Sequence, residues 1–259
     1  MKIITFLSDF GRKDSYVAQM KGVACSLTDA RLLDITHEIP AHHVRQAAFL
    51  LWTVAGWFPK GTVHVAVVDP GVGTPRKALF IVTKKYVFVG PDNGVLLPAC
   101  HAEAPFTVYE ITSPGFQLPH SGQTFQGRDL FVPVAAYITK GVPFEKLGKP
   151  TTSYVDLCFP VAERQDDVIK GAILYVDHFG HLITNLQVQL LPRLDGRLRV
   201  SFARQELDLP LVSSYGYVSD GEPLLTVGSS GFLEIVVNKG NAASRFLAAE
   251  DDAVTIRLD

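Results

Sequence analysis

The stretch TVHVAVVDPGVGTPR (62–76) decides the reading of the fold. Its first part, TVHVAVVD, is apolar almost throughout, as a strand covered on both faces must be. Upstream, KIITFLS (2–8) and RLLDIT (31–36) read as two more strands. Between them, DSYVAQMKGVACSLTDA (14–30) repeats Val17, Met20, Ala24 and Leu27 at helical spacing, with Asp14 or Ser15 placed to cap the start. VRQAAFLLWTVAGWF (44–58) is a second helix, with Val44, Ala47, Leu51 and Ala55 on one stripe. Strand, helix, strand, helix, strand is the order of a parallel sheet with helices on its faces. Such sheets gather ligands at the carboxyl ends of their strands, and Asp9, Asp34 and Asp69 each stand where a strand ends.

Downstream the chain becomes richer in strands, at KALFIVT (77–83), YVFVG (86–90) and TVYEIT (107–112). A helix is expected at RDLFVPVAAYITKG (128–141), with Pro133 in its first turn or at a kink. EKLGKPTTSY (145–154) and AERQDD (162–167) read as polar connections. Beyond them six short strand-like runs (169–177, 197–202, 207–212, 223–228, 232–238 and 253–258) alternate with turn residues, and NAASRFLAA (241–249) can form a short helix. The expected architecture is α/β: an N-terminal domain (1–160) with a central, mostly parallel sheet, and a smaller antiparallel β-barrel domain (167–259).

Composition narrows the function. Apolar residues make up 47% and charged residues 19%, which describes a folded chain with a substantial core. A net charge of -2 gives no basic surplus for nucleic acid. Cys25, Cys100 and Cys158 form no CxxC pair, which argues against a thiolate zinc site and a disulfide framework. The first apolar run meets Asp9 at once, unlike a secretory signal, and AAFLLWTVAGWF (47–58) is short of the roughly 20 residues a membrane span needs. The expected setting is cytoplasmic, with no membrane partner.

Several motifs carry chemistry beside a plain structural alternative. In VVDPGVGTPR a strand delivers Asp69, a glycine turn lets the backbone approach a ligand, and Arg76 returns; Asp-Pro-Gly is also ordinary turn chemistry. SDFGRKDSY (8–16) offers Asp9 and Asp14 to a ribose diol or to a helix cap. GPDNGVL (90–96) matches a hairpin turn at Asn93-Gly94. TFQGRDLF (124–131) sets Gly127 at a helix start, where backbone N–H groups favour anions. In VDHFGHLITN (176–185), His178 and His181 lack a third ligand and the spacing of a metal site; a turn presenting Asp177 and Phe179 to a ligand fits better. GSSGFLEI (228–235) is a loop or a small-molecule contact. There is no dinucleotide fingerprint, phosphate loop or nucleophile elbow.

In this order SDFG…DSYV, DITHEIP, VVDPGVGTPR, GPDNGVL, TFQGRDLFVP and DHFGHLITN resemble the S-adenosylmethionine (SAM) hydroxide adenosyltransferases, or SAM hydrolases, relatives of the fluorinase and chlorinase, over about residues 2–258. The resemblance implies a homotrimer with sites shared between neighbouring subunits, no cofactor or metal, and the reaction of SAM with water to give adenosine and L-methionine. It implies catalytic roles for Asp69 and Arg76. The third catalytic position is a histidine in TFHGRD and is Gln126 here; glutamine hydrogen-bonds water but cannot take its proton, so either the activity is reduced, or it rests on Asp69 and Arg76, or the substitution is a deliberate one. It further implies Asp9 as ribose ligand with Asp14 nearby, Asp177 on the methionine amino group, Ser229 and Ser230 on its carboxylate, and Phe179 and Ala242 in the adenine pocket. His181 stands where asparagine is usual, and His42 where halogenating relatives have tryptophan. The alternatives are a SAM- or adenosine-binding protein without catalysis and a SAM-dependent halogenase. The halogenases carry an uncharged residue in place of Asp69, and KKYVFVGPDNG (84–94) lacks the fluorinase insertion.

Overall fold

The computed structural model describes residues 2–119 and 123–258. The chain divides into two compact units, Met1–Cys158 and Phe159–Asp259. The first contains β1 (Ile3–Ser8), α1 (Tyr16–Leu27), β2 (Arg31–Thr36), α2 (Val44–Ala55), β3 (Val63–Val67), β4 (Ala78–Thr83), β5 (Val87–Pro91), α3 (Leu97–Ala102) and β6 (Phe106–Ile111). A π-helical turn (Gly127–Phe131) then leads into α4 (Val132–Thr139), followed by α5 (Phe144–Leu147) and β7 (Gly148–Pro150).

The sheet order is β2-β1-β3-β5-β4-β6-β7. The first four strands in that order are parallel; β4 and β7 run against the rest. β1 and β3 are buried at every residue because helices cover both faces. Met20 and Ala24 of α1 pack with Phe131, Val132 and Val134 on one face. Ala47, Leu51 and Ala55 of α2 pack with Leu97, Ala99 and Cys100 of α3 on the other. His64 is the polar exception inside β3: its Nδ1 lies 2.8 Å from Thr5 Oγ1, and burial pushes its pKa down to about 3, so it stays neutral.

Several features differ from the sequence expectation, among them α5 and β7, which occupy most of a stretch read as a polar connection. Asn93-Gly94 does not turn a hairpin. The β4–β5 hairpin turns at residues 84–86, where Thr83 N–H reaches the Tyr86 carbonyl (2.9 Å), and the segment after β5 enters α3, which was not expected. The expected helix at 128–141 begins as a π turn, closed by the Val132 N–H on the Gly127 carbonyl. Pro133 supplies no N–H to the Asp129 carbonyl four residues back, and that carbonyl takes the Leu118 N–H instead (2.9 Å). LITNLQ, read as part of a turn motif, is a buried strand.

The second unit holds β8 (Glu163–Gln165), β9 (Val168–Val176), β10 (Leu182–Gln187), β11 (Arg197–Phe202), β12 (Gln205–Pro210), β13 (Pro223–Val227), β14 (Phe232–Val237), α6 (Ala242–Phe246) and β15 (Ala253–Arg257). The antiparallel order β12-β11-β15-β9-β10-β14-β13 is nearly closed into a barrel by a bridge between Leu211 and Leu225. Its core is filled by Ile169, Leu182, Val200, Leu225, Ile235 and Ile256. Among the described residues no helix is long and apolar enough to cross a membrane.

Candidate active site

β1 and β3 are adjacent and parallel, with Ser8 beside Val67, so Asp9 and Asp69 leave the sheet at the same edge. Asn93 holds the end of β3 by donating its side-chain amide to the Val68 carbonyl (2.8 Å). The chain then doubles back. Val72 N–H meets the Asp69 carbonyl (3.2 Å), and both the N–H and the hydroxyl of Thr74 meet the Gly71 carbonyl (3.1 and 2.6 Å). Gly73 takes φ +78°, a conformation costly to any residue with a Cβ.

This turn brings Arg76 onto Asp69. Arg76 Nε donates to both carboxylate oxygens (2.9 and 3.0 Å), and Nη2 donates to Oδ2 as well. Both side chains are nearly buried, at 11% and 6% exposure. Arg76 Nη2 also donates to Gln126 Oε1, Nη1 donates to the Lys77 carbonyl (3.0 Å), and the guanidinium lies 5.4 Å from the Phe131 ring centre. The bond to Gln126 uses one of the two lone pairs of Oε1, and the Gln126 NH₂ can donate to a further partner.

Asp9, His42, Asp69 and Gln126 line one cavity of about 300 Å³. Phe10, Tyr16 and Phe125 form an aromatic wall in it, their ring centres 5.3–5.8 Å apart. Asp9 Oδ2 accepts the N–H of His42 (2.9 Å), whose φ of +68° aims that N–H at the carboxylate. Residues 8–11 are anchored from within. Ser8 Oγ lies 2.7 Å from His37 Nδ1, and Gly11 N–H donates to the His37 carbonyl (2.7 Å). His37 Nε2 is 3.1 Å from Asp34 Oδ1, and Lys21 Nζ donates to Asp34 Oδ2 (2.6 Å). Burial alone would raise the Asp34 carboxyl, but Lys21 and His37 hold it below its ordinary value. Asp14 stands exposed before α1, and the cap position belongs to Ser15, whose side chain makes no capping bond. Arg128 forks onto Asp129 (2.6 and 2.9 Å) and reaches Gln19 of α1 (2.7 Å), which ties the Phe125–Gln126 segment to that helix.

The remaining candidates belong to the second unit. Asp177 Oδ1 accepts the N–H groups of Phe179 (2.9 Å) and His181 (2.8 Å), while Oδ2 lies 3.1 Å from His181 Nδ1. The His181 ring lies against exposed Phe179 and against Tyr215, with centres 5.6 and 5.0 Å apart. Ser229 and Ser230 occupy a tight turn closed by Gly231 N–H on the Gly228 carbonyl (3.0 Å). Ala242 is fully buried at the start of α6, its methyl group in the barrel core. Tyr215 and Glu234 were not singled out in the sequence. The Tyr215 hydroxyl donates to Glu234 Oε2 (3.4 Å). Burial, and then the charge of Asp177, push Glu234 up to about 6 against the opposing effect of that hydrogen bond. Among the described residues His178 and His181 belong to no group of three metal ligands; the one such group is exposed His101, Asp156 and Cys158.

The SAM hydroxide adenosyltransferase N-terminal domain model matches residues 4–148, and the corresponding C-terminal domain model matches residues 171–255. The chain is 37% identical over 245 residues to an (R)-S-adenosyl-L-methionine hydrolase of Salinispora tropica, covering 93% of this chain and 92% of the relative. A fluorinase of Actinoplanes sp. is 25% identical over 277 residues, covering 91% of each chain. Among solved structures, an uncharacterized conserved protein from Thermotoga maritima superposes with a TM-score of 0.94 at 36% identity, covering 98% of this chain and 100% of that one.

The turn geometry makes a paired prediction. A Cβ on Gly73 has room, its nearest neighbour being Gln123 O at 3.7 Å, so only the positive φ penalises it. Gly73→Ala should lower unfolding free energy by about 1–2 kcal/mol, whereas Gly71→Ala, at an ordinary φ and in ordinary contact, should change it by less than about 0.5 kcal/mol. Urea denaturation followed by Trp52 and Trp57 fluorescence, both in the first unit, measures the difference; equal effects would contradict the turn described.

Proposed function

The chain belongs to the SAM hydroxide adenosyltransferase family, and from that premise we propose that it hydrolyses S-adenosyl-L-methionine to adenosine and L-methionine. The observation that carries the proposal is the Asp69–Arg76–Gln126 cluster at the end of β3, with Asp69 and Gln126 on the cavity.

The chemistry asks little of a leaving-group acid. The sulfonium of SAM departs as a neutral thioether, so the protein must place water in line with the ribose 5′ carbon and raise its nucleophilicity. Alignment alone can supply roughly 7–11 kcal/mol. Asp69 accepts a hydrogen bond or the proton from water. Arg76 faces that carboxylate and stabilises negative charge as hydroxide forms. Gln126, held by Arg76 through Oε1, turns its NH₂ toward the water oxygen and fixes its position without taking a proton. Asp9, locked by His42 and the Ser8–His37 anchor, accepts the ribose diol. In the second unit Asp177 receives the amino group, Ser229 and Ser230 the carboxylate, and Phe179 the adenine. Halide is a poor alternative nucleophile here, because Asp69 would repel it. The setting is cytoplasmic, and the assembly is a homotrimer, the state that the family resemblance implies for shared sites.

Two measurements test this reading. Single-turnover chromatography of SAM should show adenosine from the wild type and at least a 100-fold loss in Asp69→Asn. Gln126→His should raise the chemical rate with SAM affinity nearly unchanged, because histidine adds a base that acts in the transition state. Wild-type turnover that survives Asp69→Asn would place water activation elsewhere. Adenosine formed only by Gln126→His would make the natural protein a binder whose chemistry is switched off at one side chain. Separately, light scattering should give three times the chain mass of 28.3 kDa; a stable monomer at micromolar concentration would remove the shared-site assembly.

A further inference from the structure

His101, Asp156 and Cys158 have no part in the proposed reaction, and none of them lines the cavity of Asp69 and Gln126. They join two distant segments. His101 stands in the last turn of α3, and Asp156 and Cys158 lie beyond β7, on the stretch that ends the first unit. His101 Nε2 is 3.0 and 3.1 Å from the two oxygens of Asp156, across 55 residues of sequence. A ring nitrogen of His101, a carboxylate oxygen of Asp156 and Cys158 Sγ all lie within 4.8 Å of one another. Cys158 forms no disulfide.

The backbone that carries these side chains is held by its neighbours. The Ser153 carbonyl accepts from the Lys77 ammonium (2.7 Å), and Val155 N–H donates to Asp92 Oδ1 (2.7 Å). Asp92 is fixed in turn by its own N–H on the Lys77 carbonyl (3.0 Å). Leu157 packs so closely on Gly94 that a Cβ added there would lie 2.5 Å from Leu157 Cβ. Asp156 therefore sits between two anchored residues, and Cys158 directly follows the second. On the other segment the His101 ring meets the Phe106 ring edge-on, with centres 5.3 Å apart. The chain is placed in advance, while the His101 and Asp156 side chains remain 44% and 41% exposed and can turn toward a common centre.

The donor atoms select the ligand. Imidazole nitrogen, carboxylate oxygen and thiolate sulfur are the donors that zinc takes, at about 2.0–2.3 Å. Around a tetrahedral ion, donors at those lengths stand roughly 3.3–3.7 Å apart, a spacing that these exposed side chains reach by rotation. A sulfur donor disfavours magnesium and calcium, which take oxygen. The plain alternative is a surface His–Asp pair of little energetic consequence, with a thiol beside it by chance. That alternative makes no demand on Cys158.

We propose that His101, Asp156 and Cys158 bind a borderline divalent cation of the zinc class, with water as the fourth ligand. The thiol releases its proton to solvent as the metal–sulfur bond forms, and the His101–Asp156 hydrogen bond gives way to two metal bonds. The ion clips the last residues of the first unit onto α3. The site does not depend on the SAM reading. Cysteine spacing does not reveal it, because only one of its ligands is a cysteine.

The test uses the untagged full chain, reduced and stripped of metal with a chelator. Cobalt(II) is the probe, because it occupies zinc sites and its spectrum reports its donors. Titration should saturate at one ion per chain, with a thiolate-to-cobalt charge-transfer band in the near ultraviolet. Zinc should displace the cobalt and bleach that band, and magnesium in excess should not. Cys158→Ser should abolish the band, whereas Cys25→Ser, at the other exposed cysteine, should keep it. His101→Ala and Asp156→Asn should each weaken zinc binding at least about 10-fold in competition with a chromophoric chelator. All three positions are exposed, so these variants should fold as the wild type does, which circular dichroism checks. Saturating zinc should raise the melting temperature of the wild type and leave that of Cys158→Ser unmoved. Any of four results overturns the proposal: no charge-transfer band, a band that survives Cys158→Ser, zinc affinity unchanged in His101→Ala or Asp156→Asn, or a wild-type melting temperature that zinc does not raise.

Discussion

The site depends on a buried ion pair. Asp69 and Arg76 lose most of their water, and neither would tolerate that alone. What makes the pair tenable is the number of bonds around it: a forked contact between them, the Lys77 carbonyl on Nη1, and Gln126 on Nη2. Such a pair is weak evidence for stability and better understood as a fixed charge arrangement. It requires β3 to end where it does, the turn at 69–76 to close with Gly73 at positive φ, and Asn93 to hold the strand end. It also requires the segment before α4 to bring Gln126 within reach, which the π turn and the Arg128–Gln19 bond arrange.

Gln126 changes the division of labour in that cluster. A histidine there would offer a second base. Glutamine, with its oxygen on Arg76, can hydrogen-bond water but cannot take its proton. Under the proposed mechanism water activation then falls to Asp69, whose charge is shared with Arg76. Under the same proposal the centre holds water in line while the sulfonium leaves as a neutral thioether, so position matters more than strong basicity.

The parts of this structure that were legible in the sequence are local. TVHVAVVD could be read as a covered strand from its apolar run, and Asp69 and Arg76 are seven residues apart, so one glycine turn joins them. Contacts between distant segments were not legible. Asn93 reads as half of an Asn-Gly hairpin, yet its side chain serves the β3 end 25 residues earlier. The Ser8–His37 contact spans 29 residues and shows only as two polar residues near strand ends. LITNLQ was hidden by the turn composition just before it, although its buried face is that of a barrel strand. Glu234 left a trace, a single acid in an apolar strand, but its partner Tyr215 is 19 residues away and sequence spacing does not bring the two together.

The central claim is that water held at Asp69 attacks the ribose 5′ carbon and that the carbon–sulfur bond on that side breaks. Turnover of SAM in water enriched in oxygen-18, followed by mass spectrometry of both products, tests it most directly. The account predicts one heavy oxygen in adenosine, at the 5′ hydroxyl, and none in methionine. Label in the amino-acid product, or adenosine formed without label, would contradict it.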